Sequence, residues 1–519
     1  MKAQILGLIL SIISITLWPS SADGAIRAKK KGTISSRFLT SVKFQYRGKV
    51  PIHRIIYGND NYGYYSTSSY KVNRGQISIK LIPPGYRYKI TFFIEKRPKG
   101  PSRLVKLGSR KFISPVPKAF AHTKGHVKHG RFSTNFMIMS GAILRGKYWN
   151  PNFISRNLDV YRKSKYRVSF TSILNRIGEI VWLHVPTDRE ELFHTYVAAK
   201  PISKGVYGML LGKKAGLFQI VRHDGKVMRS VRSRDADRPY TMHHDFMVAS
   251  KDSILAISSR AVNTRTRKAK KLGNSFLADT IIKVDLKRNS HKKVFDFLKI
   301  YQPHNNKFWT GDDKGDHKFV VWNREKVDFD FLHLNSIERV DDGYLIGIRN
   351  LNKVVLMDRR LNKIKWTIGW EENDTFKIHR ETDRFHHIHT PIKTKGGNIM
   401  IFDNGYAKDR SRVVEYELDY NRQIANRVWS FAPKPSLYSK DRGSIATLES
   451  GNVLAYFVNP KLSGQKTAPI PPRDVLLEID YRNKYERARM IRRFDVLSPG
   501  YRAITIKEVG LETYIGESP

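Results

Sequence analysis

Short apolar segments alternate with turns along most of the chain after about residue 160. Each unit begins at a polar residue, continues as a short apolar strand, turns at Asp, Gly, Asn or Ser, and returns as a second apolar strand. This pattern is typical of β-hairpins. The clearest units lie at 244–257, 333–348, 389–404 and 444–456.

Two further strands follow in several of these units. The third ends in or near an acidic position, and the fourth often contains Trp, as in the segments 354–358, 413–418, 475–480, 364–368 and 428–431. Units of four strands repeated at intervals of roughly 40 to 60 residues are typical of β-propeller blades. Helical periodicity is nearly absent. We therefore predict an all-β chain in which residues 126–519 form a β-propeller.

The N-terminal part has a different pattern. Lys2, an apolar run at 5–18 and small residues up to Ala22 predict a secretory signal peptide over residues 1–22. The run is shorter than the about 20 residues of a membrane span, and an uncleaved anchor is the alternative. β-branched and aromatic residues bounded by Pro and Gly then predict a small β-sandwich over residues 26–125. The expected location is periplasmic or secreted.

The composition excludes chemistry that depends on cysteine and indicates which partners suit the charge of the chain. The 519 residues include no Cys, which excludes disulfides, thiolate nucleophiles and Cys-ligated metal centres. There are 94 Lys and Arg against 46 Asp and Glu, a formal charge of +48. Between Asp23 and Asp159 the only acidic residues are Asp60 and Glu95. This basic stretch suits either a solvated surface or adhesion to a polyanion, such as an acidic glycan or an anionic envelope. Nucleic acid also suits the charge, but export argues against it.

Several of the hairpin units resemble one family. The segment 333–337 (HLNSI), followed by Asp-Asp-Gly and Arg349, resembles a blade of the arylsulfotransferase (ASST) family. His389 with 401–405 (IFDNG) resembles a second blade, and 243–245 (HHD) resembles a third. The resemblance covers roughly residues 200–460 and is supported further by Trp366, Ser411, Arg412 and Glu415. It implies a six-bladed propeller with an N-terminal β-sandwich.

The sequence departs from the family pattern before His389, where Ile388 replaces the usual Gln, and at Asp252, where Gly is common. The resemblance nevertheless implies exchange of a sulfuryl group between an aryl sulfate ester and a phenol by a ping-pong mechanism. It also implies that neither a nucleotide sulfate donor nor a metal or other cofactor takes part. A homodimer is a further expectation.

The candidate site follows from the repeats. Residues at the start of each innermost strand line the central channel of a propeller, and His244, His333 and His389 all occupy such starts. The resemblance implies that His389 is the transiently sulfated nucleophile and that His333 and Arg349 bind the sulfuryl oxygens. His244 would be the general acid and base or a further oxyanion donor. Asn335, His243 and His387 are predicted to bind or position substrate.

Three other interpretations stay open. The imidazoles at 386, 387, 389, 243 and 244 would also suit Zn, Ni or Cu. A propeller without turnover could bind a sulfated or carboxylated polysaccharide through its basic face. A polysaccharide lyase would use a Tyr beside the imidazoles, because fold alone does not determine function. We interpret Asp403, Asn404 and Gly405 as turn residues rather than ligands.

Overall fold

The protein is almost entirely β-structure. Outside the strands, the described part of the chain contains short 3-10 turns at Phe297–Lys299, Glu381–Asp383 and Tyr406–Lys408. No helix in that part is long and apolar enough to cross a membrane. The computed structural model describes residues 13–15, 26–30, 40–46, 52–59, 63–66, 75–82, 87–96, 103–113, 126–127, 136–145, 167–175, 180–184, 195–203, 205–212, 216–222, 226–233, 241–263, 275–303, 319–321, 325–465, 474–481, 490–496 and 501–506.

Two four-stranded sheets form the N-terminal part. Their strands are β1 (Ile13–Ile15), β2 (Ile26–Lys30), β3 (Thr40–Tyr46), β4 (Ile52–Asn59), β5 (Gly63–Ser66), β6 (Gly75–Ile82), β7 (Arg87–Lys96) and β8 (Arg103–Ile113). One sheet has the order β1-β2-β3-β6 and the other β5-β4-β7-β8. Whether these sheets pack as the β-sandwich predicted for residues 26–125 stays a prediction. The predicted signal peptide lies outside the described residues except for β1.

The remaining strands follow in sequence order. They are β9 (His126–Val127), β10 (Phe136–Arg145), β11 (Arg167–Asn175), β12 (Ile180–His184), β13 (Thr195–Ser203), β14 (Val206–Gly212), β15 (Leu217–Arg222), β16 (Val227–Arg232), β17 (Thr241–Ser250), β18 (Ser253–Asn263), β19 (Ser275–Asp285), β20 (Ser290–Asp296), β21 (Phe319–Val321), β22 (Glu325–Val327), β23 (Phe329–Asp330), β24 (Leu334–Val340), β25 (Gly343–Ile348), β26 (Lys353–Met357), β27 (Ile364–Gly369), β28 (Phe376–Lys377), β29 (His389–Lys393), β30 (Ile399–Asp403), β31 (Arg412–Asp419), β32 (Ile424–Phe431), β33 (Leu437–Tyr438), β34 (Ser444–Thr447), β35 (Val453–Phe457), β36 (Lys461–Leu462), β37 (Asp474–Ile479), β38 (Met490–Val496) and β39 (Arg502–Ile506).

These strands form the six blades of a β-propeller. Five blades are antiparallel runs of consecutive strands: β13 to β16, β17 to β20, β24 to β27, β29 to β32, and β34, β35, β37 and β38. The remaining blade has the order β12-β11-β10-β39, so a C-terminal strand completes the blade that the chain begins first. The innermost strands β39, β13, β17, β24, β29 and β34 contact one another in turn around the hub. The predicted all-β propeller is confirmed.

Apolar clusters fill the seams between blades. Phe246 and Leu210 pack between the blades of β17 and β13, and Ile337 and Met247 pack in the next seam. Comparable clusters lie between β25 and β30, between β30 and β35, and between β35 and β10. Burying one such side chain stabilises the fold by about 1.5–3 kcal/mol. A ring built this way has no open sheet edge at the hub and needs no disulfide.

The acidic position on the third strand has a structural explanation in two blades. Asn398, in the turn between β29 and β30, donates from Nδ2 to Glu415 Oε1 at 2.9 Å. At the equivalent place in the last blade, Asn452 Nδ2 donates to Glu478 Oε1 at 2.7 Å. Both carboxylates are therefore buried partners of a hairpin turn, which is why the sequence repeats them.

Candidate functional site

The histidines at the hub lie where the innermost strands begin with an irregularity. His244, His333 and His387 have φ values of 57°, 55° and 55°, in the left-handed region that non-glycine residues seldom adopt. The pairing register also shifts between Met242 and Phe246 and between His389 and Ile392. Bulges and unusual backbone angles of this kind redirect side chains next to functional sites.

This backbone geometry brings the predicted imidazoles together. The ring centroids of His244 and His333 lie 4.6 Å apart, although the two residues belong to different blades. Tyr501 lies between them and the third blade, with its ring 5.6 Å from His244 and 6.5 Å from His389. The side chains of three blades and of the C-terminal segment therefore meet at one end of the hub.

The hydrogen bonds of Asn404 determine which nitrogen of His389 carries the proton. Asn404 Nδ2 donates to the carbonyl oxygens of Ser439 (2.6 Å) and Arg442 (2.9 Å), which fixes the orientation of its amide. Asn404 Oδ1 lies 2.6 Å from His389 Nδ1 and can only accept. Nδ1 must therefore carry the hydrogen, which leaves a lone pair on Nε2. Within the described residues Nε2 is buried and has no hydrogen-bond partner.

The imidazole of His389 is neutral over the whole physiological range. The residue is completely buried, and burial, followed by the positive charge of Arg349, lowers its pKa to about 3. The same two causes lower the pKa of the neighbouring His387 to about 2. A neutral ring with its lone pair at Nε2 can act as a nucleophile without first losing a proton.

Arg349 is the cation of the site. It is 3% exposed and follows β25, where its backbone N–H donates to the carbonyl of His333 at 3.3 Å. Its Nη1 donates to Asn350 Oδ1 at 2.7 Å, and Asn350 in turn donates to the carbonyl of Asp330 at 2.8 Å. A planar, permanently charged guanidinium held in this way suits the oxygens of a tetrahedral anion.

The other imidazoles have carboxylate partners. His333 Nδ1 lies 2.7 Å from Asp330 Oδ2. His243 Nε2 lies 3.1 Å from Asp279 Oδ1, and its Nδ1 contacts Nδ1 of His244. Both ring nitrogens of His243 are thus engaged behind His244, and its side chain is only 8% exposed.

Asn335 and Asp245 connect the blades beneath the site. Asn335 is completely buried and donates from Nδ2 to the carbonyl of Ile388 at 2.5 Å. Asp245 pairs with Arg502 and, at 2.9 Å, with Lys200. Burial alone would raise the pKa of Asp245, but these two cations outweigh it and hold the pKa below its ordinary value. The Asp of the HHD segment therefore joins three blades at the hub.

Sequence reasoning missed three residues at this site. Asn404 has the sequence context of a turn residue, and only its contacts with Ser439 and Arg442 show that it orients His389. Tyr501 precedes β39, outside the repeats that carried the family resemblance. Its hydroxyl is buried without a hydrogen-bond partner among the described residues, and burial raises its pKa. A Tyr beside the imidazoles is the feature that the lyase interpretation required.

The third missed residue is Asp441, in the loop before β34. Its side chain is 56% exposed, and the charge of Arg442, with smaller contributions from Arg349 and His389, lowers the pKa of its carboxyl to about 2. Asp441 Oδ1 lies 3.2 Å from Arg442 Nε. The charge of Asp441 is therefore influenced by Arg349 and His389, and no turn signal in the sequence indicated this.

The metal interpretation finds no ligand set in the described part of the chain. Among those residues, no group of three or more His, Asp or Glu side chains could hold a metal ion. Instead, the imidazoles at the hub are paired with amide, carboxylate or imidazole groups of the protein.

Comparisons with known proteins give one strong match. The sequence profile of the family described as arylsulfotransferase (ASST) matches residues 129–502. No curated protein matches the chain. Among solved structures, a protein of unknown function from Bacteroides caccae is 13% identical, and the match covers 72% of this chain and 100% of that one with a TM-score of 0.40. Hsv2 from Kluyvelomyces marxianus is 9% identical, with 63% and 94% coverage and a TM-score of 0.31.

Proposed function

This chain belongs to the arylsulfotransferase (ASST) family, and from that premise we propose that it passes a sulfuryl group from an aryl sulfate ester to a phenol through a sulfated His389. Family membership implies sulfotransferase activity with an aryl sulfate donor and a phenolic acceptor. The covalent route is our proposal. It rests on one observation: Asn404 holds Nδ1–H of His389, so that the buried Nε2 keeps its lone pair.

In the first half-reaction, the lone pair of His389 Nε2 forms a bond to sulfur. The bond between sulfur and the aryl oxygen breaks, and its electron pair stays on the oxygen, which leaves as the phenol after gaining a proton. In the second, the oxygen of the acceptor phenol bonds to sulfur as its proton leaves, and the N–S electron pair returns to Nε2. Throughout, Nδ1–H of His389 stays hydrogen-bonded to Asn404 Oδ1, so no other base is needed at that nitrogen.

Positive charge and N–H donors stabilise the transferred group. In the transition state, negative charge spreads over the three sulfuryl oxygens, and donors held in place beforehand stabilise it more than the ground state. Arg349 is buried and its positive charge acts on His389. We assign the imidazole of His333, whose Nδ1 contacts Asp330, to a second sulfuryl oxygen. His387 belongs to the same cluster of charges, because, besides burial, Arg349, His333 and His389 all lower its pKa.

Tyr501 and His244 complete the site on the side of the aryl oxygen. The ring of Tyr501 lies within 6.5 Å of both His244 and His389, and its buried hydroxyl can donate a hydrogen bond to bound substrate. His244 is the group that gives a proton to the leaving phenolate and takes one from the acceptor. Asn335 positions the backbone at Ile388, directly before the nucleophile.

The test is to trap the intermediate. After incubation with an aryl sulfate and rapid acid-free denaturation, intact-mass and peptide analysis should find one added SO3 group on His389. The variant His389→Ala should show neither the adduct nor transfer. The control His386→Ala removes a half-buried imidazole of the same loop that packs against Trp370 in a tilted contact, with 5.0 Å between ring centroids, and it should retain both. Transfer by His389→Ala at the wild-type rate would overturn the proposal.

Tyr501 supports one alternative, a polysaccharide lyase, in which a Tyr and a His would move protons during β-elimination. The two activities differ in their products. A lyase releases an unsaturated uronate with a characteristic ultraviolet absorbance, and it needs no aryl sulfate. Formation of this chromophore from acidic glycans, together with no sulfuryl transfer from several aryl sulfates, would favour the lyase.

We also propose that the basic N-terminal stretch holds the protein to a polyanion outside the cytoplasm. This rests on the sequence between Asp23 and Asp159, where acidic residues are limited to Asp60 and Glu95. Electrostatic binding of this kind weakens steeply with salt. The full chain should therefore bind a sulfated polysaccharide matrix at low ionic strength and elute as salt rises. If the full chain elutes at low salt, in the same fractions as an uncharged control protein, the proposal is contradicted.

A further inference from the structure

We propose that Asp279, His243 and His244 form a hydrogen-bonded relay that orients His244 and makes it the acid–base group of the site. Asp279 and His243 act as positioning residues, since neither touches the reacting atoms. This inference rests on the proposed sulfuryl transfer, and it adds two residues and a reason why His244 rather than His333 moves the proton.

The relay follows from the contacts of three buried side chains. Asp279 is 1% exposed, and its Oδ2 accepts the backbone N–H of Leu334 at 2.9 Å. Its Oδ1 lies 3.1 Å from His243 Nε2. The next contact joins Nδ1 of His243 to Nδ1 of His244, and the two rings cross at 86°. The chain of contacts therefore runs from a carboxylate to the imidazole that faces the site.

These contacts assign the hydrogens. A carboxylate only accepts, so Nε2 of His243 carries a hydrogen that it donates to Asp279. In the neutral ring, Nδ1 of His243 is then the acceptor, and Nδ1 of His244 must be the donor. When His244 is neutral its lone pair is therefore on Nε2, and when it is charged Nε2 carries the second hydrogen. Burial raises the pKa of Asp279, which makes its carboxylate a stronger acceptor for the His243 hydrogen.

The arrangement around His333 differs in two ways. His333 contacts Asp330 directly, at 2.7 Å, with no imidazole between them. It also lies beside Arg349, whose backbone N–H bonds to its carbonyl. A carboxylate in direct contact favours the charged form of an imidazole, so His333 is suited to stay an N–H donor to the sulfuryl oxygens. His244 instead lies next to Tyr501 and is connected to a carboxylate, so it can become positively charged during the reaction.

The relay accounts for each proton in the transfer. As the S–O bond of the donor breaks, the hydrogen on Nε2 of protonated His244 moves to the aryl oxygen. His244 then returns to the neutral form, in which its Nδ1–H donates to Nδ1 of His243. In the second half-reaction the acceptor phenol gives its proton back to Nε2 of His244 while its oxygen bonds to sulfur. No oxidant, reductant or further reactant is required.

The test uses donors whose leaving groups differ in basicity. A good leaving group such as 4-nitrophenolate departs without a proton, whereas phenolate needs one. Acid–base groups typically contribute roughly 10²–10⁴-fold. In Asp279→Asn and His243→Phe, sulfation of His389 by phenyl sulfate should therefore fall by about 100-fold or more, and sulfation by 4-nitrophenyl sulfate should change by less than about fivefold.

The matched control is Asp330→Asn, which alters the carboxylate next to His333. Because His333 binds sulfuryl oxygens in this scheme, Asp330→Asn should slow both donors by the same factor. Equal losses for the two donors in Asp279→Asn and His243→Phe, with thermal unfolding showing folded protein, would overturn the relay. Two variants at different positions guard against a folding defect in one of them.

A second measurement does not depend on turnover. With ¹⁵N-labelled histidine, NMR at a pH high enough to make His244 neutral should show its hydrogen on Nδ1, and His243→Phe should lose this tautomer preference. An Nε2–H tautomer for His244 in the wild type would overturn the relay. If the wild type transfers from no aryl sulfate, the proposed function fails, while the tautomer still decides whether the hydrogen-bonded chain exists.

Discussion

Replacing Asn404 by leucine removes the amide that orients His389. The side chain makes three short hydrogen bonds: it accepts from His389 Nδ1 at 2.6 Å and donates to the carbonyls of Ser439 and Arg442 at 2.6 and 2.9 Å. Leucine has nearly the same shape and offers none of them. The ring of His389 would then be free to carry its hydrogen on Nε2, the nitrogen that must attack sulfur.

The expected size of the effect follows from these contacts. In a catalytic triad, loss of the tautomer set by the buried Asp lowers turnover by about 10⁴-fold, and the same order, about 10³–10⁴-fold, is expected for Asn404→Leu. Stability should fall as well, because buried polar groups left without partners cost about 1–3 kcal/mol each. Ser439 retains a bond from Ser411 Oγ at 3.3 Å, so a total loss of about 2–4 kcal/mol is expected.

The variant Asn404→Asp separates orientation from charge. Aspartate still accepts Nδ1–H of His389, but it places a negative charge beside a ring whose pKa is about 3 in the wild type. The pKa of His389 should rise. The nucleophile is neutral above this pKa and protonated below it, so activity is lost as pH falls through it. The acid limb of the rate profile should therefore move to higher pH in Asn404→Asp.

The assay is the rate of covalent sulfation of His389, measured in a single turnover beside urea unfolding of the same samples. Asn452→Leu is the matched control: Asn452 is 3% exposed and donates to Glu478, but it lies in the last blade away from the histidines. It should lose stability and keep its sulfation rate per folded molecule. Wild-type sulfation in folded Asn404→Leu would refute the tautomer argument.

Other predictions use the same assays. Arg349→Lys keeps the positive charge but loses the paired N–H donors of the guanidinium, so kcat/KM should fall about 10²–10³-fold with little change in urea midpoint. An unchanged kcat/KM would contradict the role of Arg349. Tyr501→Phe should fold normally, because its hydroxyl bonds to no described residue, and should lower kcat for a phenol acceptor more than it changes the urea midpoint. Asp245→Asn leaves Arg502 and Lys200 without their buried partner and should cost about 3–5 kcal/mol in urea unfolding. Because the folded-state pKa of His387 is near 2, below its ordinary 6.5, the stability it contributes is complete above about pH 6.5 and falls as the solution is acidified; His387→Phe should flatten that dependence in thermal unfolding.

The fold was accessible from sequence because the propeller is specified locally. A hairpin needs only alternating apolar residues and a turn, and both are adjacent in the chain, as at 389–404. The same repeats placed His244, His333 and His389 at the starts of innermost strands. Convergence at the hub then follows from the geometry of any closed ring of blades. The order of residues along the chain therefore carried most of this information.

The detailed chemistry of the site could not be obtained in this way. Asn404 looks like a turn residue until its amide is seen to bond with Ser439 and Arg442, which belong to the next blade. Asp279 lies on β19 with nothing in its neighbourhood that marks it as the partner of His243. These pairings depend on which side chains face each other across a seam, and the spacing in sequence does not encode that.

Tyr501 shows the difference most clearly. The sequence determined that the chain would form repeated four-stranded units with an imidazole at the start of several of them, because periodicity and turns act over a few residues. Only the tertiary structure decided that the C-terminal strand β39 completes the first blade beside β10. That closure brings Tyr501 next to His244 and His389. Ring closure depends on the sum of all six blades packed together, and no local pattern near residue 501 contains it.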